Sequence, residues 1–348
     1  MAMPIGALDF SWAPYTLDFN FEARTSRAVM RTKTTYFLRV ALGATGDVAY
    51  GEVPLFEGLS AECSPDFEER LSVLCRNGFV DYAGDISCIN FGLHSALAQL
   101  AGQPATDWSL GIAGIPINGL VWMGDKATML ARVEEKIEAG FGVLKLKIGG
   151  IDFEDELDII RSIRRRFSPE VLELRLDANG SFTTRNALPR LERLAPFGIH
   201  SLEQPIRAGQ IAAMRRICRL SPICIALDEE LIGCRAHAEA KALLTAIRPQ
   251  YIILKPSLCG GFGAADDYIS MAEEMGIGWW ATSALESNVG LYAIARWLSC
   301  RNISMPQGLG TGLLYTNNFV SPLELRGASL FCSPDLPLPV PEGLLWRK

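Results

Sequence analysis

Charged residues recur at regular intervals through the second half of the sequence, and their types suit one shared reaction centre. Successive members are 25 to 30 residues apart. The series consists of Lys147, Asp177, Glu203, Asp228 and Lys255. Three converging carboxylates would bind a hard metal ion, and two lysines beside them could move a proton or stabilise an anion. The pattern therefore predicts a metal-assisted acid–base centre.

The residue types also indicate which metal this centre would hold. Carboxylate oxygens favour Mg²⁺, with Mn²⁺ as the alternative. The chain has only three histidines, His94, His200 and His237, and no two of them have the spacing of zinc ligands. The nine cysteines include no Cys-x-x-Cys pair. A zinc site is therefore not expected.

The elements that must position these residues begin at about Pro116. Short apolar strands alternate there with helical segments: IPINGLVW, VLKLKI, LELRLD, IHSLEQP, ICIALD, YIILK and GWWATS. Seven or eight consecutive βα units predict a parallel sheet, which could close into a barrel or remain an open, doubly wound sheet.

The alternation within these strands predicts which way the charges point. In VLKLKI, Lys145 and Lys147 share one face and Leu144 and Leu146 the other. Helices cover the outside of a parallel barrel, so the apolar face meets the helices and the charged face points inward. Each charged residue of the series ends its strand, on the side where barrel enzymes place their chemistry. Taken singly, such residues are also common as helix caps or ion-pair partners; the register of five favours one site.

The first hundred residues have a different pattern. Residues 17–23 and 35–41 alternate like antiparallel strands, and residues 66–76 and 91–100 have helical spacing. A small α+β domain is predicted there. The expected division is residues 1–110, 111–316 and 317–348, with the Pro- and Leu-rich last segment packing back onto the first domain.

Composition and charge exclude several classes of protein. The 348 residues are 49% hydrophobic and 21% charged, with a net charge of −6. This balance is typical of a folded globule and argues against nucleic acid or an anionic membrane as partner. No uncharged apolar run is long enough for a bilayer span, and the N-terminus does not read as a signal peptide. Together with an odd number of scattered cysteines, these features predict a cytoplasmic protein.

Several motifs, in this order along the chain, resemble the enolase superfamily and its muconate-lactonizing subgroup: LKLKIG, RLDANG, LEQP, LDEE and LKPSLCGGFG. The resemblance implies a (β/α)7β modified TIM barrel with an N-terminal α+β capping domain that the C-terminal segment completes. It also implies that Asp177, Glu203 and Asp228 bind Mg²⁺, that Lys147 removes the α-proton of a small-molecule carboxylate, and that Lys255 faces the other side of the substrate. The chemistry implied by this resemblance is that of the superfamily, in which a lysine is the base and Mg²⁺ stabilises an ene-diolate.

Within the subgroup, the chain most resembles the o-succinylbenzoate synthases of menaquinone biosynthesis. The features are the Arg175-x-Asp177-x-Asn179 pattern and the segments TSALESNVG and GLGTGLLYTNN. The implied reaction is the dehydration of 2-succinyl-6-hydroxy-2,4-cyclohexadiene-1-carboxylate to o-succinylbenzoate, catalysed by a carbon–oxygen lyase. An N-acylamino acid racemase or a dipeptide epimerase, using both lysines as an acid/base pair, is the alternative. Epimerases of this subgroup usually carry Asp-x-Asp after the last strand, where this chain has Gly308-Leu-Gly310-Thr-Gly312.

Further residues are expected around the substrate or behind the metal ligands: Lys145, Arg175, Asn179, Ser283, Gly308 and Gly310. Glycine amides at 308–310 could bind the succinyl carboxylate, although a tight turn of the barrel explains these glycines equally well. In the capping domain, Leu55, Phe56 and Leu59 of the segment GEVPLFEGLS could exclude water from the reaction.

Two other classes of function fit the sequence less well. Gly260-Gly261-x-Gly263 follows a strand, loosely like a dinucleotide-binding loop of an oxidoreductase, but the full G-x-G-x-x-G is absent. A non-catalytic binding protein on the same barrel would have no need of the complete set of acids and lysines.

Overall fold

The N-terminal part of the chain is an antiparallel sheet covered by two helices. The computed structural model describes residues 8–24 and 29–348. The sheet has the order β1 (Leu8–Arg24), β2 (Val29–Leu42) and β3 (Val48–Val53), and the helices are α1 (Phe67–Arg76) and α2 (Ser87–Ala101). Both predicted strands and both predicted helices are present. Their apolar faces form one buried cluster around Trp12, Leu38 and Phe67.

Seven parallel strands follow a short strand β4 (Ile115–Pro116) and form one curled sheet. In chain order they are β5 (Gly119–Val121), β6 (Val143–Lys147), β7 (Glu173–Asp177), β8 (Ser201–Glu203), β9 (Cys224–Leu227), β10 (Tyr251–Leu254) and β11 (Gly278–Ala281). Each strand pairs with the one before it in the sequence. A doubly wound sheet would reverse its strand order partway. The observed order therefore selects the barrel from the two predicted architectures.

The barrel is closed by residues 307 and 308 rather than by a long eighth strand. Gln307 makes a parallel bridge to Ile117, and Gly308 makes one to Thr282. The N–H of Gly308 donates to the carbonyl of Ala281 at 2.8 Å, and the N–H of Asn118 donates to the carbonyl of Gln307 at 2.9 Å. These bonds join the two edges of the curled sheet.

Seven helices cover the outside of the sheet: α3 (Lys126–Glu138), α4 (Phe153–Arg164), α5 (Ala187–Leu194), α6 (Ile211–Leu220), α7 (His237–Ile247), α8 (Phe262–Met275) and α9 (Asn288–Leu298). Helix α4 illustrates why they form. The side chain of Asp152 caps its N-terminus by accepting from the N–H of Glu154. Acids occupy the first turn and arginines the last, which complements the helix dipole. Leu157, Ile160 and Ile163 are buried against the sheet.

The C-terminal segment contacts both parts of the molecule. The hairpin of β12 (Leu323–Arg326) and β13 (Ser329–Cys332) pairs with β4 beside the barrel. The last residues reach the N-terminal sheet, where Arg347 bridges to Trp12 and Trp346 packs on Tyr50. Within the described ranges, none of the helices is both long and apolar enough to span a membrane.

Candidate active site

The predicted acids and lysines meet at the C-terminal ends of the parallel strands. Lys147 is in register with Asp177, and Asp177 with Glu203, so three neighbouring strands present them side by side. Asp228 and Lys255 directly follow β9 and β10. Leu144 and Leu146, on the opposite face of β6, lie in the core shared with the helices. The inward orientation predicted from the alternation is therefore present.

Each of the three carboxylates is held by a lysine ammonium group. Lys145 Nζ lies 3.0 Å from Asp177 Oδ2 and 2.5 Å from Glu203 Oε2. Lys147 Nζ lies 2.9 Å from the same Asp177 oxygen. Lys255 forms an ion pair with Asp228. These contacts satisfy charges that would be costly to bury alone.

The pKa values of Asp177 and Glu203 are shifted in opposite directions. Burial would raise the pKa of Asp177, but the three lysines outweigh it and the pKa is lowered. Glu203 behaves in the opposite way: burial, together with repulsion from Asp177 and Asp228, raises its pKa well above the usual range. For Lys145, burial alone would lower the pKa, but attraction to Asp177, Glu203 and Asp228 raises it. The lysines therefore compensate the charge of Glu203 less completely than that of Asp177.

The acids of the site fit a divalent cation by their chemistry, although their present partners are lysines. Within residues 8–24 and 29–348, no group of three or more His, Cys, Asp or Glu side chains is arranged as a metal site. The carboxylates of Glu203 and Asp228 contact Lys145 and Lys255. Glu203 Oε1, however, is buried and has no hydrogen-bond partner in the described parts of the chain. A cation would supply that missing interaction and would relieve the repulsion that raises the pKa of Glu203.

Asn179 links the lysine end of the site to Glu229. Its side-chain oxygen accepts from Lys147 Nζ at 2.8 Å, and its side-chain nitrogen donates to Glu229 Oε1 at 3.1 Å. Asn179 has a φ of 44°, a left-handed conformation that Asn tolerates better than most residues. Sequence reasoning did not single out Glu229. Its signal was the second acid of LDEE, directly after Asp228.

A cavity of about 1,090 Å³ lies above these residues, between the barrel and the N-terminal sheet. Its barrel wall includes Lys147, Asp177 and Lys255, and its other wall includes residues of β2 and of the segment 51–60. Leu55, Phe56 and Leu59 all line it. The ring of Trp122, which sequence reasoning also missed, faces Lys147 with 5.8 Å between its centroid and Nζ. The amine at the end of β6 therefore has polar contacts on one side and an aromatic wall on another.

Ser283, Gly308 and Gly310 also line this cavity, and the backbone amide of Gly308 is the one whose contacts differ from the expected anion-binding role. Ser283 Oγ lies 2.6 Å from the hydroxyl of Thr311. The N–H of Gly308 donates to Ala281 and closes the barrel, so this amide is not available to a carboxylate. A Cβ at Gly308 would lie 2.2 Å from the Thr282 hydroxyl, so the close approach of the two barrel edges accounts for this glycine.

Arg175 lies below the acids of the site, which is one of the two positions expected for it. It shares the inward face of β7 with Asp177, but it does not line the cavity. Its Nε donates to Glu173 at 2.7 Å, one terminal nitrogen donates to the carbonyl of Pro306 at 2.9 Å, and its guanidinium packs 4.5 Å from the ring centroid of Trp280. Arg175 therefore supports the barrel interior below the acids.

Glu156 of helix α4 holds the turn that follows Lys147. It is buried, and its Oε1 accepts from the N–H groups of Gly149 and Gly150. We expect Glu156→Ala to destabilise the protein by about 2 kcal/mol, because the N–H groups of Gly149 and Gly150 lose their buried, charged acceptor. The predicted role of Lys147 as a proton-transfer group implies that turnover falls roughly 10- to 100-fold in this variant, because the turn after Lys147 is no longer held in place. Steady-state kinetics and thermal unfolding measure the two effects.

The matched variant Glu156→Gln retains an acceptor oxygen and should keep turnover and stability near those of the wild type. A Glu156→Ala protein with unchanged turnover would show that this turn does not position Lys147.

The comparisons with known proteins agree with this architecture. Residues 128–327 match the sequence model of the family described as enolase C-terminal domain-like. The o-succinylbenzoate synthase of Desulfotalea psychrophila (strain LSv54 / DSM 12343) is 43% identical over 368 aligned positions, which cover 94% of this chain and 99% of the relative. The crystal structure of MenC from Desulfotalea psychrophila LSv54 superposes with a TM-score of 0.84 and 40% identity, covering 93% of this chain and 99% of that one.

A second kind of relative is more distant. The N-succinylamino acid racemase of an Amycolatopsis species is 30% identical over 210 positions, which cover 60% of this chain and 53% of the relative. The parallel barrel, the acids at its strand ends and the family match define a barrel protein of the enolase type. The chain belongs to the enolase superfamily.

Proposed function

We propose that this protein is an o-succinylbenzoate synthase of menaquinone biosynthesis, a carbon–oxygen lyase. Its substrate would be 2-succinyl-6-hydroxy-2,4-cyclohexadiene-1-carboxylate and its product o-succinylbenzoate. The observation that carries the proposal is a single cavity lined by Lys147 and Lys255, with buried carboxylates between them. Similarity along almost the whole length to a synthase of that name supports the choice of reaction.

Lys147 is proposed as the general base. Lys147 lines the cavity and its Nζ is oriented by Asp177 and Asn179, so a substrate held there would meet a fixed amine. The amine takes the proton from the carbon that bears the ring carboxylate, and the electron pair of that C–H bond then forms the new ring double bond. The C–O bond breaks, and the leaving hydroxyl takes a proton from the Lys147 ammonium to depart as water. The ring becomes aromatic, so the elimination runs downhill.

Lys255 is proposed to stabilise charge from the other side of the substrate. Three strands separate β6 from β10 in the sheet, and both lysines line the same cavity. A dehydration needs only one base, so Lys255 acts as a fixed cation beside the ring. Lys145 bridges Asp177 and Glu203 and keeps these acids in place.

Asp177, Glu203 and Asp228 are proposed to hold Mg²⁺, with Mn²⁺ as a substitute. When bound, the divalent cation would neutralise the negative charge that develops on the substrate carboxylate as the proton leaves. Asn179 holds Asp177 through its backbone N–H, which donates to Asp177 Oδ1 at 3.0 Å. The residues Leu55, Phe56 and Leu59 on the capping side exclude water from the cavity.

The remaining parts of the proposal concern organisation and location. We assign residues 1–110 to the capping domain, 111–316 to the barrel and 317–348 to the returning segment. The protein is proposed to work in the cytoplasm on a small carboxylate, without nucleic acid or membrane as partner, in keeping with its net charge of −6.

The reaction is tested by incubating the Mg²⁺-loaded protein with the cyclohexadiene substrate and following the absorbance of the aromatic product. A parallel incubation in D₂O uses N-succinylamino acids and follows deuterium at the α-carbon by NMR. We expect the aromatic product to form faster than deuterium enters the amino acid.

The second candidate, an N-acylamino acid racemase, is favoured by the similarity to the Amycolatopsis enzyme and by the presence of two cavity lysines. Rapid deuterium entry without any aromatic product would select this activity and reject the synthase. A dipeptide epimerase is disfavoured, because the segment 308–312 contains no acid to hold a substrate amine.

A further inference from the structure

Lys33 is a buried lysine of the capping sheet that the proposed reaction does not use. It lies on β2 with only 7% of its surface exposed, and it lines the same cavity as the acids and lysines of the barrel. Its Nζ donates at 2.8 Å to the backbone carbonyl of Leu285, 252 residues further along the chain. Lys33 thus reaches from the capping domain to the turn that follows β11.

The turn at Leu285 is strained. Leu285 has a φ of 63°, a left-handed conformation that costs free energy for any residue with a Cβ. Its carbonyl accepts a second hydrogen bond from the hydroxyl of Tyr315 at 2.8 Å. Two donors from outside the turn therefore hold the peptide in an orientation that the Leu285 side chain opposes. Strain of this kind persists only when the surroundings impose it.

The next residues of the turn are also fixed from the capping domain. The carboxylate of Glu52 accepts from the N–H groups of Ser287 at 2.9 Å and Gly290 at 3.0 Å, at the N-terminus of α9. Glu52 is itself held by the hydroxyl of Thr35 at 2.8 Å. Residues 285–290 are therefore hydrogen-bonded to the capping domain at two places, by Lys33 and by Glu52. Of these two residues, Lys33 lines the cavity.

Leu285 itself lines the cavity. Leu285 belongs to a buried cluster with Trp122 and Tyr315, and Phe56 packs against this cluster. The ring centroid of Phe56 lies 5.9 Å from Lys33 Nζ. We call Leu285, Trp122 and Phe56 the apolar wall. Because Trp122 also faces Lys147, the wall extends to the reaction centre.

We propose that Lys33 is a positioning residue: by holding the carbonyl of Leu285, it fixes the apolar wall against which the organic part of the substrate binds. The contact between Lys33 and Leu285 joins the capping domain to the barrel. The position of the capping domain therefore affects the shape of the cavity. The inference rests on the proposed function for its kinetic test, but its structural test does not need a substrate.

The test compares Lys33→Met, which removes the donor, with Lys33→Arg, which keeps a cationic donor, and with Tyr315→Phe, which removes the other donor. Lys126→Met is the control, because this lysine pairs with Asp158 outside the cavity. For Lys33→Met we expect the KM to rise about tenfold, as for the loss of one charged hydrogen bond, with a much smaller change in kcat. The KM of Lys33→Arg should lie between that of Lys33→Met and that of the wild type.

Amide hydrogen exchange of a peptide spanning residues 283–290 provides the readout without substrate. Exchange there should be faster in Lys33→Met and Tyr315→Phe than in the wild type or Lys126→Met. Unchanged KM and unchanged exchange in Lys33→Met would overturn the proposal, as would a loss confined to kcat. If Lys33→Met does not fold, Tyr315→Phe decides in the same way. A wild type without synthase activity would reject the proposed function alone, since the exchange result still tests the role of Lys33.

Discussion

Replacing Lys147 with alanine is expected to lower kcat by about 10³-fold, because general acid–base groups contribute roughly 10²- to 10⁴-fold. The same amine is proposed to take the α-proton and to return it to the leaving hydroxyl, so both transfers are lost together. The neighbouring Lys145 cannot replace it, since its ammonium group is committed to Asp177 and Glu203. Single-turnover measurements at saturating Mg²⁺ isolate the chemical step.

The matched variant Lys147→Arg separates proton transfer from charge. A guanidinium keeps the positive charge at the end of β6, but it does not give up its proton in the working pH range. We expect Lys147→Arg to be nearly as slow as Lys147→Ala. Lys241→Ala, an exposed lysine paired with Glu274 at 3.0 Å, serves as the control and should retain full activity. Turnover by Lys147→Arg within tenfold of the wild type would remove Lys147 from the role of base.

The barrel and the register of its charged residues could be predicted because strands repeat with a period of two. In β6 and β7 the leucines pack against the helices outside the sheet. Because side chains alternate between the two faces of a strand, Lys145, Lys147 and Asp177 point into the barrel. One βα unit separates each charged strand end from the next, so their convergence follows from the parallel order of the sheet. These features depend on local pattern and on chain order alone.

Contacts that depend on distant partners could not be predicted in this way. Nothing in the local sequence relates Lys33 to the carbonyl of Leu285, 252 residues away. The eighth position of the barrel is filled by Gln307 and Gly308 through single bridges, too short to leave a strand pattern. The depth of Arg175 was also hidden, because alternation gives the face of a strand but not which inward residue reaches the cavity and which packs on Trp280.

The second large effect expected concerns Glu203 and the metal. Dialysis against EDTA should abolish turnover, and added Mg²⁺ should restore it. The variant Glu203→Gln should weaken Mg²⁺ binding by at least tenfold, since even the outer partners of a metal site change affinity by about 10- to 100-fold. Isothermal titration with Mg²⁺ measures this affinity without any substrate. Glu173→Gln is the matched control. Glu173 is an acid at the first residue of β7, at the other end of the strand from Asp177, and it pairs with Arg175.

The electrostatics of the site explain why Glu203 should matter so much. Each of the three proposed metal ligands already contacts a lysine nitrogen: Lys145 and Lys147 contact Asp177, Lys145 also contacts Glu203, and Lys255 contacts Asp228. A divalent cation would add two positive charges, which the two carboxylates of the proposed substrate would balance. We expect Glu203 to be the most favourable contact for such a cation. Glu203 Oε1 is buried without a hydrogen-bond partner among the described residues, and burial together with repulsion from Asp177 and Asp228 raises the pKa of Glu203. Equal Mg²⁺ affinity in Glu203→Gln and Glu173→Gln would exclude Glu203 as a metal ligand. Its role would then be the ion pair with Lys145.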